Sequence, residues 1–237
     1  AERFGLRTSG LIRWNSRQRV SLFDALPDPV EVQTNIVRGI PKLATMWESD
    51  LYSRLAQCTA RLSRSLSEVA GEGGLEVAAA NSLSVGATAY NWLVLYRGRA
   101  RDGAVTSRLL MADDAPQADW AYAVLSSGLV YWLWRVDGDG FHVPSRWLDN
   151  LPFEWDGGAD SVRIADHGRR AWDLARSHPV RAINSGRRTV SFRPDLAAEV
   201  PAIDRLLLGQ LGMDPDLEEH LSQFRHAVIN AGRENKS

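Results

Sequence analysis

The sequence predicts a mixed α/β fold of the α+β kind: a small sheet or hairpin, a buried aromatic helix and a helical carboxy-terminal extension. Three observations carry this expectation. Residues Ala89–Arg97 and Val105–Met111 alternate in the two-residue rhythm of strands. Ala118–Arg135 is apolar nearly all round, as in a helix at the centre of a domain. From Asp160 onward, apolar residues recur at helical spacing between Gly and Pro punctuation.

Residues 1–30 show no sustained period. Leu22, Phe23 and Leu26 form a short apolar anchor there, which Pro27 and Pro29 stop. Ile36–Leu43 reads as a strand or an extended link. Ser49 is the expected N-cap of a helix whose apolar face is Leu51, Leu55, Cys58, Leu62, Leu66 and Val69, ending before Gly71. Its Arg54, Arg61 and Arg64 are expected on the solvated side. The two alternating segments flank the turn signal Asp102-Gly103, which predicts a hairpin with Arg97, Arg99, Arg101 and Arg108 around its tip. After the apolar helix come a loop at Asp137–Val143, a short helix at Ser145–Asn150, a long helix at Asp160–Ser177 and a strand at Thr189–Arg193. A helix over Val200–Leu211 and another starting at Asp214-Pro215 follow, the latter with an N-cap and Pro at the first helical position. This order suggests a domain of residues 1–155 and a helical extension of residues 156–237.

Composition narrows the classes. The chain has 237 residues, 44% hydrophobic and 24% charged, with a net charge of −1, which is ordinary for a globular protein able to bury a core. Residues 1–112 hold 14 Lys and Arg against 10 Asp and Glu, and residues 113–237 hold 14 against 19. A polyanion would therefore meet the amino-terminal half. Lys42 and Lys236 are the only lysines. Arginine in such excess suits phosphate and guanine recognition, and it follows equally from the codon usage of a GC-rich genome. The single Cys58 excludes an internal disulfide and a cysteine-based zinc site, and its apolar helical position predicts a buried thiol. The first residues lack the apolar core of a secretion signal. Trp120–Trp134, the longest nearly uncharged stretch, is shorter than the roughly 20 residues a membrane helix needs. The expectation is a cytoplasmic protein without membrane contact.

No glycine-rich nucleotide loop, Walker loop, paired-histidine metal motif or G-x-S-x-G elbow is present in the sequence. No catalytic residue, metal or cofactor is therefore assigned to this chain. Asp137-Gly138-Asp139-Gly140 lacks the closing Glu of a calcium loop, and its glycines suit a tight helix exit. His142, before Val143 and Pro144, is either fixed by local hydrogen bonds or available to DNA. An arginine-tipped ribbon fits a major groove, whereas the same residues also make an ordinary solvated turn. Tyr90, Trp92 and Tyr96 offer stacking faces or, more simply, core.

Four stretches carry a family resemblance: IRWNSRQRVSLF (Ile12–Phe23), Ile40-Pro41-Lys42-Leu43, YWLWRVDGDGFHVPSRWLDNLPF (Tyr131–Phe153) and IDRLLLGQLGMDPDLEEHL (Ile203–Leu221). Together they resemble the carboxy-terminal target-recognition region, the TaqI-like specificity domain, of adenine-specific DNA methyltransferases of restriction–modification and phage-defence systems. Leu211-Gly212-Met213 stands where that family has Leu-Tyr-Gly-Leu, and the middle of the chain matches least. The resemblance implies a module that reads double-stranded DNA for a catalytic methyltransferase domain acting in cis or in trans. S-adenosylmethionine and the Asn-Pro-Pro-Tyr motif that holds the adenine belong to that other domain. The chain is then expected to be a fragment of the parent enzyme, with a separate specificity subunit as the alternative. The implied DNA contacts are Arg13, Arg17, Arg19 and Lys42, then Arg97, Arg99, Arg101 and Arg108, then His142, Ser145 and Arg146. Trp132, Trp134, Phe141, Trp147 and Phe153 are expected to pack and brace the loop. A protein–protein adaptor, docking through Asp160–Ser177 and the acidic carboxy-terminal helices, is the competing expectation.

Overall fold

In the computed structural model, which describes residues 6–10, 28–32, 40–69, 79–89, 91–98, 107–184, 187–193 and 198–234, the α+β class is realised by seven α-helices and eight short strands among those residues. The chain begins with an antiparallel pair, β1 (Leu6–Thr8) and β2 (Val30–Val32), in register Leu6↔Val32 and Thr8↔Val30. Three-residue strands leave no period to read in the sequence, so this pair was not expected. The Thr8 hydroxyl ties it to the body, donating to the Leu43 carbonyl at 2.8 Å and accepting from its N–H at 3.2 Å.

Helix α1 (Met46–Gln57) is capped four residues before the expected Ser49, because Thr45 and Glu48 form a reciprocal capping box. The other carboxylate oxygen of Glu48 accepts the buried Trp132 indole N–H at 2.9 Å, which ties the start of α1 to the core. The helix also ends far short of Gly71. Cys58 is already extended, and the Leu62 N–H bonds the Leu151 carbonyl at 3.0 Å instead of continuing the helix. Leu62 and Leu66 keep helical spacing and are buried, but they lie in and just after a 3₁₀ turn, Leu62–Arg64, that leads into β3 (Ser67–Val69).

The expected hairpin is replaced by a four-stranded antiparallel sheet. Strands β4 (Ser82–Gly86), β5 (Leu95–Arg97) and β6 (Ser107–Met111) join β3 in the order β3-β6-β4-β5. β5 and β6 therefore do not pair with each other. Between them lies β4, where Leu83 sits opposite Arg97 on one side and Leu110 on the other. All five residues of β4 are buried, including Ser82, Ser84 and Gly86 on the face opposite Leu83 and Val85. The Ser84 hydroxyl is satisfied by the Gly98 carbonyl at 2.7 Å. Arg99 and Arg101 lie outside the described residues.

The single apolar helix expected over Ala118–Arg135 is two helices, α2 (Ala115–Ser126) and α3 (Gly128–Asp137). Ser127 breaks them in an extended conformation, and its hydroxyl accepts the Val130 N–H at 3.0 Å. The first two donors of α3, the N–H groups of Gly128 and Leu129, go to the Asp204 carboxylate at 3.1 and 3.0 Å. Gly128 is required for that approach, since a Cβ there would lie 2.5 Å from an Asp204 oxygen.

The remaining helices follow the expected order, α4 (Ser145–Asp149), α5 (Ala159–Ser177), α6 (Val200–Gln210) and α7 (Leu217–Glu234), while the one strand expected at Thr189–Arg193 is found as a hairpin between α5 and α6, β7 (Val180–Asn184) and β8 (Arg187–Ser191). α2 and α3 form the centre, with Trp120, Tyr122, Trp132 and Trp134 fully buried. α5 crosses α2 at Gly168, where a Cβ would meet the Asp119 carbonyl oxygen at 2.1 Å. α6 and α7 cover α3. One apolar core thus runs from Leu43 to Val228. Within it Trp155 meets Trp120 edge-on, 6.0 Å between centroids.

Candidate functional site

The segment leaving α3 is braced at almost every residue. The Trp134 carbonyl accepts the Gly138 N–H at 2.9 Å, closing the helix. Asp137 accepts the Tyr52 hydroxyl at 2.8 Å. Gly140 takes a φ of +75°, open to glycine at little cost, and its carbonyl accepts from the Arg135 guanidinium at 3.0 Å. Asp139 folds back on the loop, accepting the N–H groups of Phe141 and His142 at 2.8 and 2.7 Å and pairing with the His142 ring. That ring contact, aided by the two N–H groups, holds the Asp139 carboxyl down at about 2. The Trp134 indole donates to the His142 carbonyl at 2.9 Å. On the far side, Ala89 N–H bonds Phe141 O at 2.8 Å and Val143 N–H bonds Ala87 O at 2.9 Å, so residues 141–143 lie against the strand-like exit of β4.

Two of the cations expected to touch DNA take part in this bracing. Lys42 donates from Nζ to the Gly138 carbonyl, and Arg108 donates from Nη2 to the Val143 carbonyl. Burial and the neighbouring Arg135 lower the Lys42 pKa from its ordinary value, against the pull of Asp137 and Asp139. Arg97 has a different structural role. Its side chain is 8% exposed, forms an ion pair with Asp119 of α2 at 2.9 Å, and donates to the carbonyls of Ser82 and Ala80. In this structure Arg97 pins the sheet to α2 and is not at a hairpin tip.

Beside the braced loop is a cleft of about 400 Å³. Trp134 and Trp147 supply aromatic wall, and Arg61, His142, Arg146 and Asn150 stand around it, with Asp137 among the polar lining. Thus His142 and Arg146 come together as expected, and Ser145 lies next to them at the first turn of α4. His142 is 62% exposed. The Arg146 guanidinium has no hydrogen-bond or ion-pair partner among the described residues. Arg61 donates to the Cys58 and Ala60 carbonyls at 2.7 and 2.6 Å, without a carboxylate partner among the described residues. The Trp147 indole N–H is buried and has no acceptor among the described residues.

Arg61 was missed because its helix ends earlier than the apolar spacing suggests: the chain turns at Cys58 and carries Arg61 off the expected solvated face and onto the cleft. Arg54 leaves that face too, donating to the Leu211 carbonyl at 2.6 Å. Cys58 is only partly buried, its thiol directed at the Arg54 carbonyl. Arg13, Arg17 and Arg19 lie outside the described residues.

Among the described residues, no cluster of three or more His, Cys, Asp or Glu side chains is arranged to hold a metal ion. No described helix is long and apolar enough to cross a membrane. Comparison with known proteins finds no matching family, no similar curated protein and no similar solved structure.

Proposed function

We propose that this chain is the DNA-recognition module of an adenine-specific, S-adenosylmethionine-dependent DNA methyltransferase of the restriction–modification or phage-defence type. It positions duplex DNA for a catalytic domain that lies elsewhere. The observation that supports this reading most is the placement of the family-like segment: Tyr131–Phe153 includes the braced loop and α4, and His142 and Arg146, whose guanidinium has no partner among the described residues, both line the cleft. A guanidinium without a carboxylate is available to a phosphate or to the acceptor pair of guanine. The adaptor alternative draws less support. Arg163, Arg169 and Arg176 on the outer side of α5 are each paired with an Asp three residues earlier, which leaves that surface little net field for a charged partner.

Fluorescence anisotropy with a labelled duplex, across a salt series, tests the reading. Affinity is expected to fall linearly on logarithmic axes, by about 0.9 per phosphate neutralised. Arg146→Ala should weaken binding and reduce that slope by about 1. No binding at low salt, or binding that salt does not change, would overturn the proposal. The chain alone is expected to leave the DNA unmethylated.

A further inference from the structure

Resting on the DNA-binding reading, we infer that the cleft beside α4 receives a single unstacked nucleotide of the bound DNA. Three features of the cleft point to that ligand. Its volume of about 400 Å³ is in the range of small-molecule sites. The partly exposed indole of Trp147 gives it an aromatic wall, the surface on which a base stacks. Arg61 and Arg146 bring two guanidinium groups without carboxylate partners among the described residues, a match for a phosphate.

The chemistry selects against other ligands. A purely apolar molecule would leave both cations unanswered. Inorganic phosphate would leave the Trp147 indole unused. A paired base cannot enter, because stacking and pairing hide its face and edge inside the duplex. A nucleotide that is already unpaired avoids that cost. The cleft should therefore favour DNA with a local defect over a perfect duplex.

The test compares two labelled duplexes of one sequence, perfectly matched or with a single unpaired nucleotide, in anisotropy titrations at fixed low salt. The inference requires the bulged duplex to bind at least about tenfold more tightly, the order of gain that avoided unpairing allows. Trp147→Leu should abolish most of that preference and leave affinity for the matched duplex within about threefold; Arg146→Ala should abolish it too while weakening the matched duplex, so the preference is read for each variant as the ratio of the two affinities. Arg146 is exposed, so its variant keeps the experiment valid if the Trp147 change disturbs packing; thermal melts of both variants check this. Equal binding of the two duplexes overturns the inference and leaves the DNA-binding reading standing, as does a bulge preference that both folded variants retain. Failure to bind either duplex overturns both.

Discussion

Asp204 should make stability fall as pH rises through the near-neutral range. Its carboxylate is fully buried between α6 and the first turn of α3. Burial pushes its pKa up to about 7, against the N–H groups of Leu129 and Gly128 and the positive field of Arg225, with Glu218 adding to the rise. In the unfolded chain the same group titrates near 3.9. The folded state thus holds a proton that the unfolded state has lost between these values. The associated stability is fully present below about pH 4 and is withdrawn as pH rises through 7. At about 1.4 kcal/mol per pKa unit, the whole effect is about 4 kcal/mol, of which about 2 falls between pH 5 and 7. Asp204→Asn removes the titration but keeps one acceptor for the two α3 donors, at a cost of about 1 kcal/mol. Urea unfolding followed by tryptophan fluorescence at pH 5, 6, 7 and 8 reads both curves. The wild type should lose about 2 kcal/mol relative to Asp204→Asn from pH 5 to 7 and then level off. Two parallel curves, or a wild type that gains on the variant over that interval, would refute the argument.

Other perturbations test the packing. Arg97→Ala strands the Asp119 carboxylate, whose side chain is only 17% exposed, and should cost about 3–5 kcal/mol in urea unfolding; a change below about 1 kcal/mol would mean the pair is not structural. Gly168→Ala drives a methyl group into the Asp119 carbonyl oxygen and should lower stability by about 1–3 kcal/mol, visible as a reduced thermal midpoint. Thr45→Ala removes one half of the capping box at α1 and should cost about 1 kcal/mol, with faster amide exchange confined to the first turn of that helix.

Helices α5 and α6 were legible within a residue at each end, because Gly157-Gly158, His178-Pro179, Pro201 and Gly212 punctuate strong helical periods. α7 was placed near its true start by Asp214-Pro215. What stayed hidden depended on partners distant in sequence. The halt of α1 reflects a hydrogen bond from Leu62 to Leu151, and the break at Ser127 is stabilised by Asp204, 77 positions later. The central strand β4 is five residues long and buries two serines and a glycine, a composition that does not mark a core strand. For the candidate site, His142 and Arg146 were accessible to sequence reading because they lie within the recognisable segment. Arg61 belongs to the cleft only through the early turn at Cys58. Lys42, Arg97 and Arg108 show the limit of reading charge alone: all three were expected to face a polyanion, and all three donate to the protein's own backbone carbonyls.

The bracing of residues 137–143 bears on any attempt to transplant this loop. Its carbonyls are held by side chains from Lys42 and Arg108, and its backbone rests on residues 87–89. A peptide copying Tyr131–Phe153 would lack those holds and would sample many shapes. Exchanging the loop between proteins would succeed only if the receiving scaffold offered donors at the same three places, so the unit that can be moved is the loop together with its scattered supports.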